Sequence, residues 1–286
     1  MVTNLRNKAF SLVELSISLV VIAILMSIVA GGANLIMSAK LSSARSLTAR
    51  SPVPKIAGLV AWYETSRLES FKASEAVDDG QISVWYDVGP GSIAKKYNTL
   101  TRTASSAVIY QQSGINRLPS ISFNGSGRIS VSSFYQGTST QNTIFFVSSP
   151  YSLSNAPIPI DSGNSFTATP ISYLSNGIRL YAGNNADFTT SGCCSTNSNY
   201  IIAAYFNRTS SKAYINDAKT MVGGVVGSPG SNLMDGLTIG TDRIGSYPFI
   251  GLVSEVIIYN RPLETQERKD VMNYLSQKYG IAVIGI

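Results

Sequence analysis

An uncharged, apolar run near the amino terminus limits what this chain can be more than any other feature of its sequence. From Leu15 to Ala39 there is no charged residue, and most positions are Leu, Ile, Val, Ala or Met. A helix needs about 20 apolar residues to cross the hydrocarbon core of a bilayer, so this run can span a membrane. Arg6 and Lys8 precede it, with no acid before Glu14, and this positive flank predicts a cytoplasmic amino terminus.

Glu14 is an unusual residue at the mouth of an apolar helix. A carboxylate in that position is costly unless it has a partner. Cleavage after Ala9 would create a new amino terminus at Phe10, and within one helix this amine lies about one turn from Glu14. In a bundle of helices, the amine would instead face Glu14 of a neighbouring copy.

The residues around Glu14 also carry a resemblance. The segment Lys8-Ala9-Phe10-Ser11-Leu12-Val13-Glu14-Leu15 resembles the prepilin cleavage and methylation signal of type IV pilins and type II secretion pseudopilins. That signal has a small residue, usually Gly, before the cut, then Phe, with Glu fifth in the mature chain. Phe10 and Glu14 match, and Ala9 keeps the small size without being Gly. The resemblance implies processing at Ala9 and Phe10, N-methylation of Phe10, and subunit assembly through Phe10 and Glu14.

The amino-terminal run has two other interpretations. A secretory signal peptide has an apolar core of about 7–15 residues and is cut after that core. This run is longer and has an acid at its start. A plain single-span anchor, with Glu14 merely beside the membrane, is the other alternative. Because a small residue, an aromatic residue and an acid must all fall at fixed spacing, we take the pilin-like interpretation.

The helix predicted from Phe10 continues beyond the apolar run, and we call Phe10–Arg50 the stem. Apolar and helix-forming residues keep near-helical spacing as far as Leu47. Pro52 and Pro54 end the helix, because neither can sit inside one. Gly31-Gly32 near the middle either marks a point of unwinding in a filament, as in the resembled family, or allows close helix packing.

The net charge of +6 is concentrated in the amino-terminal part of the chain. Residues 1–54 carry five basic residues against Glu14 alone, a net charge of +4, and the remaining 17 basic and 15 acidic residues leave +2. A nucleic-acid-binding protein is expected to place its basic patch on the folded domain, so no nucleic-acid partner is predicted. Lys40, Arg45 and Arg50 are expected to face neighbouring subunits or lipid headgroups.

The chain has no histidine and only two cysteines, which are adjacent. The lack of histidine excludes Ser-His-Asp and Cys-His catalysis and His-containing zinc sites. Two thiols cannot form a structural zinc site alone. Three alternatives stay open for Cys193 and Cys194: a vicinal disulfide within the chain, a link between subunits, or two reduced thiols.

After a short stiff linker at 51–55, the composition changes to frequent Gly, Ser, Thr and Asn. Short β-type runs alternate with turn signals such as Asn176-Gly177, a pattern typical of a β-sandwich or barrel. The predicted strands are Ile56–Trp62, Ile82–Tyr86, Ala107–Tyr110, Ser120–Phe123, Gly127–Val131, Thr143–Ser148, Ile171–Leu174, Ile178–Ala182, Tyr200–Phe206, Lys212–Ile215, Gly236–Gly240 and Gly251–Tyr259.

The last predicted element is a helix over Glu264–Tyr279, which Gly280 ends. The helix places Arg268, Val271, Met272, Leu275 and Tyr279 on one stripe. In the long strand before this helix, Glu255 lies among apolar neighbours, and we expect it to face solvent or to pair with an arginine.

Both ends of this β-rich region carry a second resemblance. The sequence is similar to concanavalin A-like, laminin-G-type domains of bacterial surface proteins at Gly58–Tyr63, Val84–Asp87, Leu118–Gly125, Phe249–Leu263 and Tyr274–Gly280. The resemblance implies a jelly-roll sandwich of two antiparallel sheets. Glu264 stands where that family usually has Ser or Thr as the helix cap, which predicts a weaker cap.

The β-rich head, residues 56–286, offers no defined ligand site in its sequence. Calcium needs several oxygen ligands around one point, and the candidate acids are scattered: Asp78, Asp79, Asp87, Asp161, Asp187, Asp217, Asp235 and Asp242. The densest cluster, Asp78-Asp79-Gly80, is equally typical of a solvated turn. We therefore expect no cofactor and leave calcium open.

Sugar binding and catalysis also lack a clear signal in the sequence of the head. Sugar binding would use exposed aromatic residues, but Trp62 and Trp85 lie in strand patterns and are expected in the core. A glycosidase needs two carboxylates about 5–10 Å apart across a cleft. No predicted strand shows the alternating Glu-x-Asp-x-Glu pattern that a jelly-roll hydrolase would offer. We predict no catalytic residue and no enzymatic activity.

Together these features predict a mainly β protein with a long amino-terminal helix. Its parts are a leader at 1–9, a helix at 10–50 that crosses the membrane and then enters a filament core, a linker at 51–55 and the head at 56–286. We expect a type IV pilin-like filament subunit that displays its head. The alternatives are a minor or tip pilin acting as a carbohydrate- or protein-binding adhesin, and a type II secretion pseudopilin.

The expected partners and locations follow from this interpretation. The partners are other pilin subunits, a prepilin peptidase and methyltransferase, the inner membrane before assembly, and surface glycans or host proteins. The precursor is expected in the bacterial inner membrane, and the mature protein in an extracellular filament or at the cell surface.

Overall fold

The computed structural model describes residues 11–90, 92, 96–103, 107–135, 137, 139–163, 168–183, 188–219 and 227–286. For residues 28–31, 33, 34 and 188 it describes the backbone alone. The predicted processing residues Ala9 and Phe10, the leader 1–9 and the candidate acid Asp187 lie outside the described residues.

The stem is one continuous helix, α1 (Leu12–Ala49). Ser11 caps its amino terminus, and the backbone stays helical through Gly31-Gly32. After Arg50 the chain enters a short 3-10 turn at Val53–Lys55, because Pro52 and Pro54 cannot continue an α-helix. Val53 is fully buried, so the segment predicted as a linker packs against the head.

The strands of the head, in chain order, are β1 (Leu59–Glu64), β2 (Gly80–Gln81), β3 (Val84–Trp85), β4 (Leu100–Arg102), β5 (Val108–Gln111), β6 (Ser120–Asn124), β7 (Ile129–Val131), β8 (Asn142–Pro150), β9 (Ile160–Asp161), β10 (Ile171–Leu174), β11 (Gly177–Leu180), β12 (Phe188–Thr189), β13 (Tyr200–Phe206), β14 (Lys212–Ile215), β15 (Leu237–Ile239) and β16 (Ile250–Tyr259). They form two sheets in which every strand pair is antiparallel. Sheet A has the order β14-β13-β8-β16-β6-β5-β2, with β1 also paired to β16, and sheet B has the order β12-β11-β10-β9-β15-β7-β4-β3. The predicted jelly-roll-like sandwich is confirmed.

Strand β16 is the centre of sheet A. One of its edges pairs with β8 along nearly its whole length. Its other edge pairs first with β6, over Ile250–Val253, and then with β1, over Glu255–Tyr259. A register shift in the β8 pairing falls between Val253 and Glu255. The change of partner places Glu255 of β16 directly across from Glu64 of β1.

Two apolar cores follow from the alternation of side chains along the strands. The first fills the space between the sheets and contains Tyr63 and Trp85. The second lies on the outer face of sheet A and contains Trp62 and Tyr259. Trp62 and Trp85 are 2% and 0% exposed, so their predicted core positions are confirmed.

The second core is covered by the carboxy-terminal helix α2 (Thr265–Tyr279). All five residues of its predicted stripe are buried, and Gly280 ends the helix in the left-handed region at φ 62°. At the other end, the Glu267 carboxylate accepts the backbone N–H of Glu264 at 2.9 Å. This bond supports the start of α2 despite the absence of a Ser or Thr cap.

Candidate functional site

Glu14 lies in the first turn of α1, where it forms a capping box with Ser11. Its Oε2 accepts the backbone N–H of Ser11 at 2.9 Å, and the Ser11 Oγ accepts the backbone N–H of Glu14 at 3.2 Å. Both residues are exposed. Because Ser11 directly follows Phe10, the Glu14 carboxylate is bonded to the residue next to the predicted new amino terminus.

The first half of α1 exposes apolar side chains all around the helix. The consecutive residues Leu19–Ile22 are each between 47% and 59% exposed, and Leu12, Leu15, Ile17, Ile24, Leu25 and Met26 are exposed to a similar or greater degree. An apolar surface of this extent marks a site of contact with lipid or protein. Among the described residues, no helix is long and apolar enough to cross a membrane.

The second half of α1 rests on the head. Ala44 and Thr48 are buried, and the Thr48 Oγ1 lies 3.2 Å from the Tyr274 hydroxyl of α2. Arg45 donates from Nε to the backbone oxygen of Ser66 at 2.7 Å. The stem is therefore tied both to α2 and to the segment that follows β1.

These contacts correct the prediction for Arg45. Arg45 was expected to face neighbouring subunits or headgroups, but it bonds to the head of its own chain. Lys40 is exposed and donates to the backbone oxygen of Asn116 at 3.4 Å, so its contact with neighbouring subunits or headgroups stays a prediction. Arg50 is exposed and bonds within its own helix, to the backbone oxygen of Ser46.

A buried ionic cluster lies where α2 meets β1 and β16. The Lys278 Nζ is 2.7 Å from Oε2 of Glu64 and 2.8 Å from Oε2 of Glu255, and all three side chains are at most 1% exposed. Glu255 also accepts hydrogen bonds from Trp62 Nε1 at 2.7 Å and from the Tyr274 hydroxyl at 2.8 Å. The expectation that Glu255 faces solvent or pairs with an arginine is wrong, because α2 covers it and supplies a lysine.

The charges of this cluster depend on one another. Burial alone would raise the pKa of Glu64, but the ammonium of Lys278, with hydrogen bonds from Lys278 and Ser66, lowers it below the ordinary value of 4.5. Burial raises the pKa of Glu255, an effect that Lys278 only partly offsets. Burial opposes the charge on Lys278, yet Glu255 and Glu64 together raise its pKa. Lys278 is therefore charged, with Glu64 as its ionised partner and Glu255 as the weaker acid.

Sequence reasoning missed the roles of Glu64 and Lys278. A signal for Lys278 was present, because it lies four residues after Tyr274 and three after Leu275, on the buried side of α2. Nothing near Glu64 in the sequence indicates that it pairs with a residue 214 positions away. The cluster is closed to solvent, so it holds elements together and offers no surface to a ligand.

Cys193 and Cys194 are joined by a disulfide in the connection between β12 and β13. Both are half-buried and pack against the core between the sheets. Of the three alternatives left open by the sequence, the structure has the disulfide within the chain.

The candidate acids that the structure describes do not converge on one point. No group of three metal-ligating residues is present among the residues that the structure describes. Asp78 and Asp79 lie in an exposed turn, where they accept hydrogen bonds from Gln112 and Gln111. Asp161 is buried and accepts the backbone N–H groups of three residues: Ser162, Thr169 and Arg243. Such amide donors occupy the oxygen lone pairs that a cation would need.

Tyr97 and Tyr135 form an aromatic pair at the surface of the head, where sequence reasoning had not placed one. Their rings are parallel within 6°, with centroids 3.7 Å apart, and Tyr135 is 66% exposed. The buried Asn98 holds the pair in place, because its Oδ1 accepts the Tyr135 backbone N–H at 2.8 Å. Asn98 also donates to Asp87 at 2.9 Å, and its backbone oxygen accepts the Tyr63 hydroxyl.

Comparisons with known families match the chain in two places. Residues 110–267, just over half of the chain, match the family model of the concanavalin A-like lectin/glucanases superfamily. Residues 4–30 match the prokaryotic N-terminal methylation motif. Both resemblances proposed from the sequence are confirmed. No curated protein matches the chain.

Solved structures share the sandwich fold at low sequence identity. Domain 4 of AbnA, an extracellular GH43 arabinanase from Geobacillus stearothermophilus solved with arabinotriose, has a TM-score of 0.52 and 16% identity; the match covers 74% of this chain and 97% of that domain. The binding domain of Paraclostridial mosquitocidal protein 1 has a TM-score of 0.50 and 16% identity. The match covers 77% of this chain and 52% of that one. A Trypanosoma rangeli sialidase mutant with trans-sialidase activity has a TM-score of 0.50 and 16% identity. The match covers 81% of this chain and 34% of the sialidase chain. The chain thus spans about half of the mosquitocidal binding domain and a third of the sialidase.

Proposed function

Because the chain belongs to the concanavalin A-like lectin/glucanases superfamily and carries a prokaryotic N-terminal methylation motif, we propose that it is a pilin-like filament subunit. In this proposal, α1 packs with copies of itself in the filament core, and the sandwich head is displayed on the surface. The observation that carries the proposal is the first half of α1, whose exposed apolar side chains lie on both sides of Glu14 in sequence and are left uncovered by the described part of the single chain.

Assembly follows from the chemistry of the amino terminus. Arg6 and Lys8 keep the leader in the cytoplasm while the apolar part of the stem is held in the inner membrane. A prepilin peptidase and methyltransferase cuts between Ala9 and Phe10 and methylates the new amine. In the packed helices, Glu14 then meets the amine of a neighbouring subunit. An unpaired charge there costs several kcal/mol, so the pair sets the register between subunits.

Substitutions of Glu14 test this pairing. Glu14→Gln keeps a side chain that can complete the capping box with Ser11 but removes the charge. We expect its precursor to remain stable and membrane-bound while the filament yield from sheared cells collapses. Ser11→Ala is the matched control, because it removes the cap and leaves the charge; we expect it to keep assembling. Filament yields at the wild-type level from Glu14→Gln would refute the pairing role.

A second candidate function is a minor or tip subunit whose head binds a saccharide. The stacked Tyr97 and Tyr135 favour it, because a rigid aromatic pair with one exposed ring, that of Tyr135, provides an amphipathic contact area at low entropic cost. The discriminating measurement is abundance: a repeating subunit dominates purified filaments, whereas a tip subunit is rare. A pseudopilin would appear instead in a short periplasmic fibre.

We further propose that the chain is not an enzyme. Glu64 and Glu255, a close pair of carboxylates in the described part of the chain, are fully buried and share the ammonium of Lys278. Neither is placed to reach a substrate. Hydrolysis of a glycan by the purified protein, lost in Glu64→Gln, would contradict this.

A further inference from the structure

A cavity of about 460 Å³ opens where the stem leaves the head. Three elements form its wall. The stem helix α1 contributes Lys40 and Ser43, the turn between β5 and β6 contributes Asn116 and Arg117, and the end of α2 contributes residues 277–280. The volume lies within the usual range of about 300–1,000 Å³ for ligand pockets, so the cavity can hold a small polar group.

Positive charge dominates this cavity. Lys40 and Arg117 are exposed cations in its wall, and none of the described residues that line it is acidic. Lys278 also lines the cavity, but Glu64 and Glu255 hold its ammonium inside the head, so it adds little charge at the surface. The exposed pair therefore sets the charge here, and an anion is the ligand that this charge favours.

Hydrogen bonds through Asn116 hold the two cations at one place. The Lys40 Nζ donates to the backbone oxygen of Asn116, the residue directly before Arg117, at 3.4 Å. The Asn116 side-chain amide donates to the backbone oxygen of Tyr279 at 2.7 Å, which satisfies a carbonyl group at the negative end of the α2 dipole. Within the described part of the chain, no hydrogen bond or ion pair engages the exposed Arg117 guanidinium, so it is available to a ligand.

The position of Lys40 in the sequence indicates which anion the cavity meets. Lys40 is the first charged residue after the uncharged run 15–39. As a helix, this run is about 38 Å long, enough to cross a hydrocarbon core about 30 Å thick. Lys40 therefore lies at the level of the headgroups when the stem is held in a bilayer, and Arg117 lies in the same cavity.

We propose that this cavity binds the phosphate of an anionic phospholipid headgroup before assembly, with Lys40 and Arg117 as its ligands. The inference rests on the proposed function, because it needs a stem that is held in a bilayer. Two basic residues beside an anionic lipid raise the affinity on the order of tenfold. The contact would hold the same face of every head toward the membrane until the subunit enters the filament.

The surroundings of the cavity confine the attraction to one site. Asp78 and Asp79 accept hydrogen bonds from Gln112 and Gln111, a few residues before the cavity, and do not line it. This acidic turn repels an anionic surface. We therefore expect one bound lipid at the cavity and no broad basic face against the membrane.

Native mass spectrometry of the full-length protein tests the site. The protein is held in a neutral detergent, and phosphatidylglycerol, phosphatidylcholine or inorganic phosphate is added. We expect one retained phosphatidylglycerol per chain, and roughly tenfold less phosphatidylcholine or inorganic phosphate. Equal retention of the two lipids would overturn the proposal. So would inorganic phosphate that binds as well as phosphatidylglycerol, because the cavity would then recognise a free anion and not a lipid.

Variants locate the lipid. We expect Lys40→Gln and Arg117→Gln each to lose part of the retained phosphatidylglycerol, and the double variant to retain no more of it than of phosphatidylcholine. Arg208→Gln is the matched control. Arg208 is also an exposed arginine with a left-handed backbone, at φ 52°, but it lies in the turn between β13 and β14, at the far edge of sheet A. Wild-type retention in the double variant, or an equal loss in Arg208→Gln, would overturn the assignment.

The assay also separates this inference from the filament role, because it needs no filament. A chain that assembles but does not prefer phosphatidylglycerol would overturn the lipid site alone. A chain that retains the lipid but forms no filament would refute the proposed function alone. A dimer that is lost in the double variant, with no lipid retained by the wild type, would overturn the lipid assignment in favour of a second copy of the chain.

Discussion

The Nζ of Lys278 in α2 lies 2.7 Å from Oε2 of Glu64 in β1, with both side chains fully buried. The same ammonium contacts Glu255 in β16, so one side chain joins the carboxy-terminal helix to two neighbouring strands of sheet A. The stem helix α1 contacts α2 through Thr48 and Tyr274, and Tyr274 also bonds to Glu255. The cluster therefore also supports the contact between the stem and the head. A head that is to be displayed in one orientation along a filament requires such a fixed junction.

Removal of the buried ammonium should be strongly destabilising. Lys278→Met leaves Glu64 and Glu255 buried without a counter-ion, and we expect a loss of about 3–5 kcal/mol in the free energy of unfolding. Urea titration can follow the fluorescence of Trp62 and Trp85, both of which are buried. Lys269→Met, on the same helix but not in the cluster, should stay within about 0.5 kcal/mol of wild type. A loss below 1 kcal/mol in Lys278→Met would show that the ion pair is dispensable.

The lowered pKa of Glu64 predicts how its contribution depends on pH. A carboxyl group whose pKa is lower in the folded state stabilises the fold above its unfolded value, here 4.5, and loses this effect as the pH falls through the folded pKa. The difference in unfolding free energy between wild type and Glu64→Gln should therefore be full at pH 7 and shrink below pH 4.5. Urea titrations at a series of pH values measure it. A difference that is independent of pH would mean that Glu64 is not ionised in the fold.

The bond from Arg45 to Ser66 should hold the stem on the head. Arg45→Gln removes a hydrogen bond from a charged donor, a contribution of about 1.5–3 kcal/mol. We expect faster hydrogen exchange at the backbone amides of residues 44–50, with the head amides unchanged. Arg50→Gln is the matched control, because Arg50 bonds only within its own helix. Equal exchange rates in the two variants would remove Arg45 from the junction.

The disulfide between Cys193 and Cys194 predicts a specific pattern of alkylation. Without reductant, the folded protein should take up no iodoacetamide and should run as a monomer on a denaturing, non-reducing gel. After reduction it should take up two equivalents, one for each cysteine. A dimer band that disappears on reduction would show instead that the cysteines link subunits.

Much of the fold could be predicted because its signals are local. The apolar run, the prolines after Arg50 and the stripe of α2 specified both helices, and alternating apolar residues specified most strands. The predicted strand Ile82–Tyr86 is shorter in the structure, where Val84–Trp85 pairs with β4 in sheet B. Gly80–Gln81 was not predicted as a strand; it pairs with β5 in sheet A, so the chain changes sheets between the two.

The parts that were missed depend on contacts distant in sequence. The strands Leu100–Arg102, Ile160–Asp161 and Phe188–Thr189 have two or three residues, too few to show alternation. The surroundings of Glu255 could not be predicted, because its partners arrive from β1 and α2 only when the sandwich closes. The Tyr97–Tyr135 pair was likewise invisible, since it joins two loops through Asn98.

The central claim is that this chain is cut before Phe10 and then packs through Glu14. The intact mass of the protein extracted from cells tests it most directly, because it reports the cut and the methyl group together. We predict a mature chain that begins at Phe10 and carries one added methyl group, while Ala9→Leu, which enlarges the residue before the cut, keeps the mass of the precursor. A wild-type protein that still begins at Met1, without the methyl group, would contradict the account.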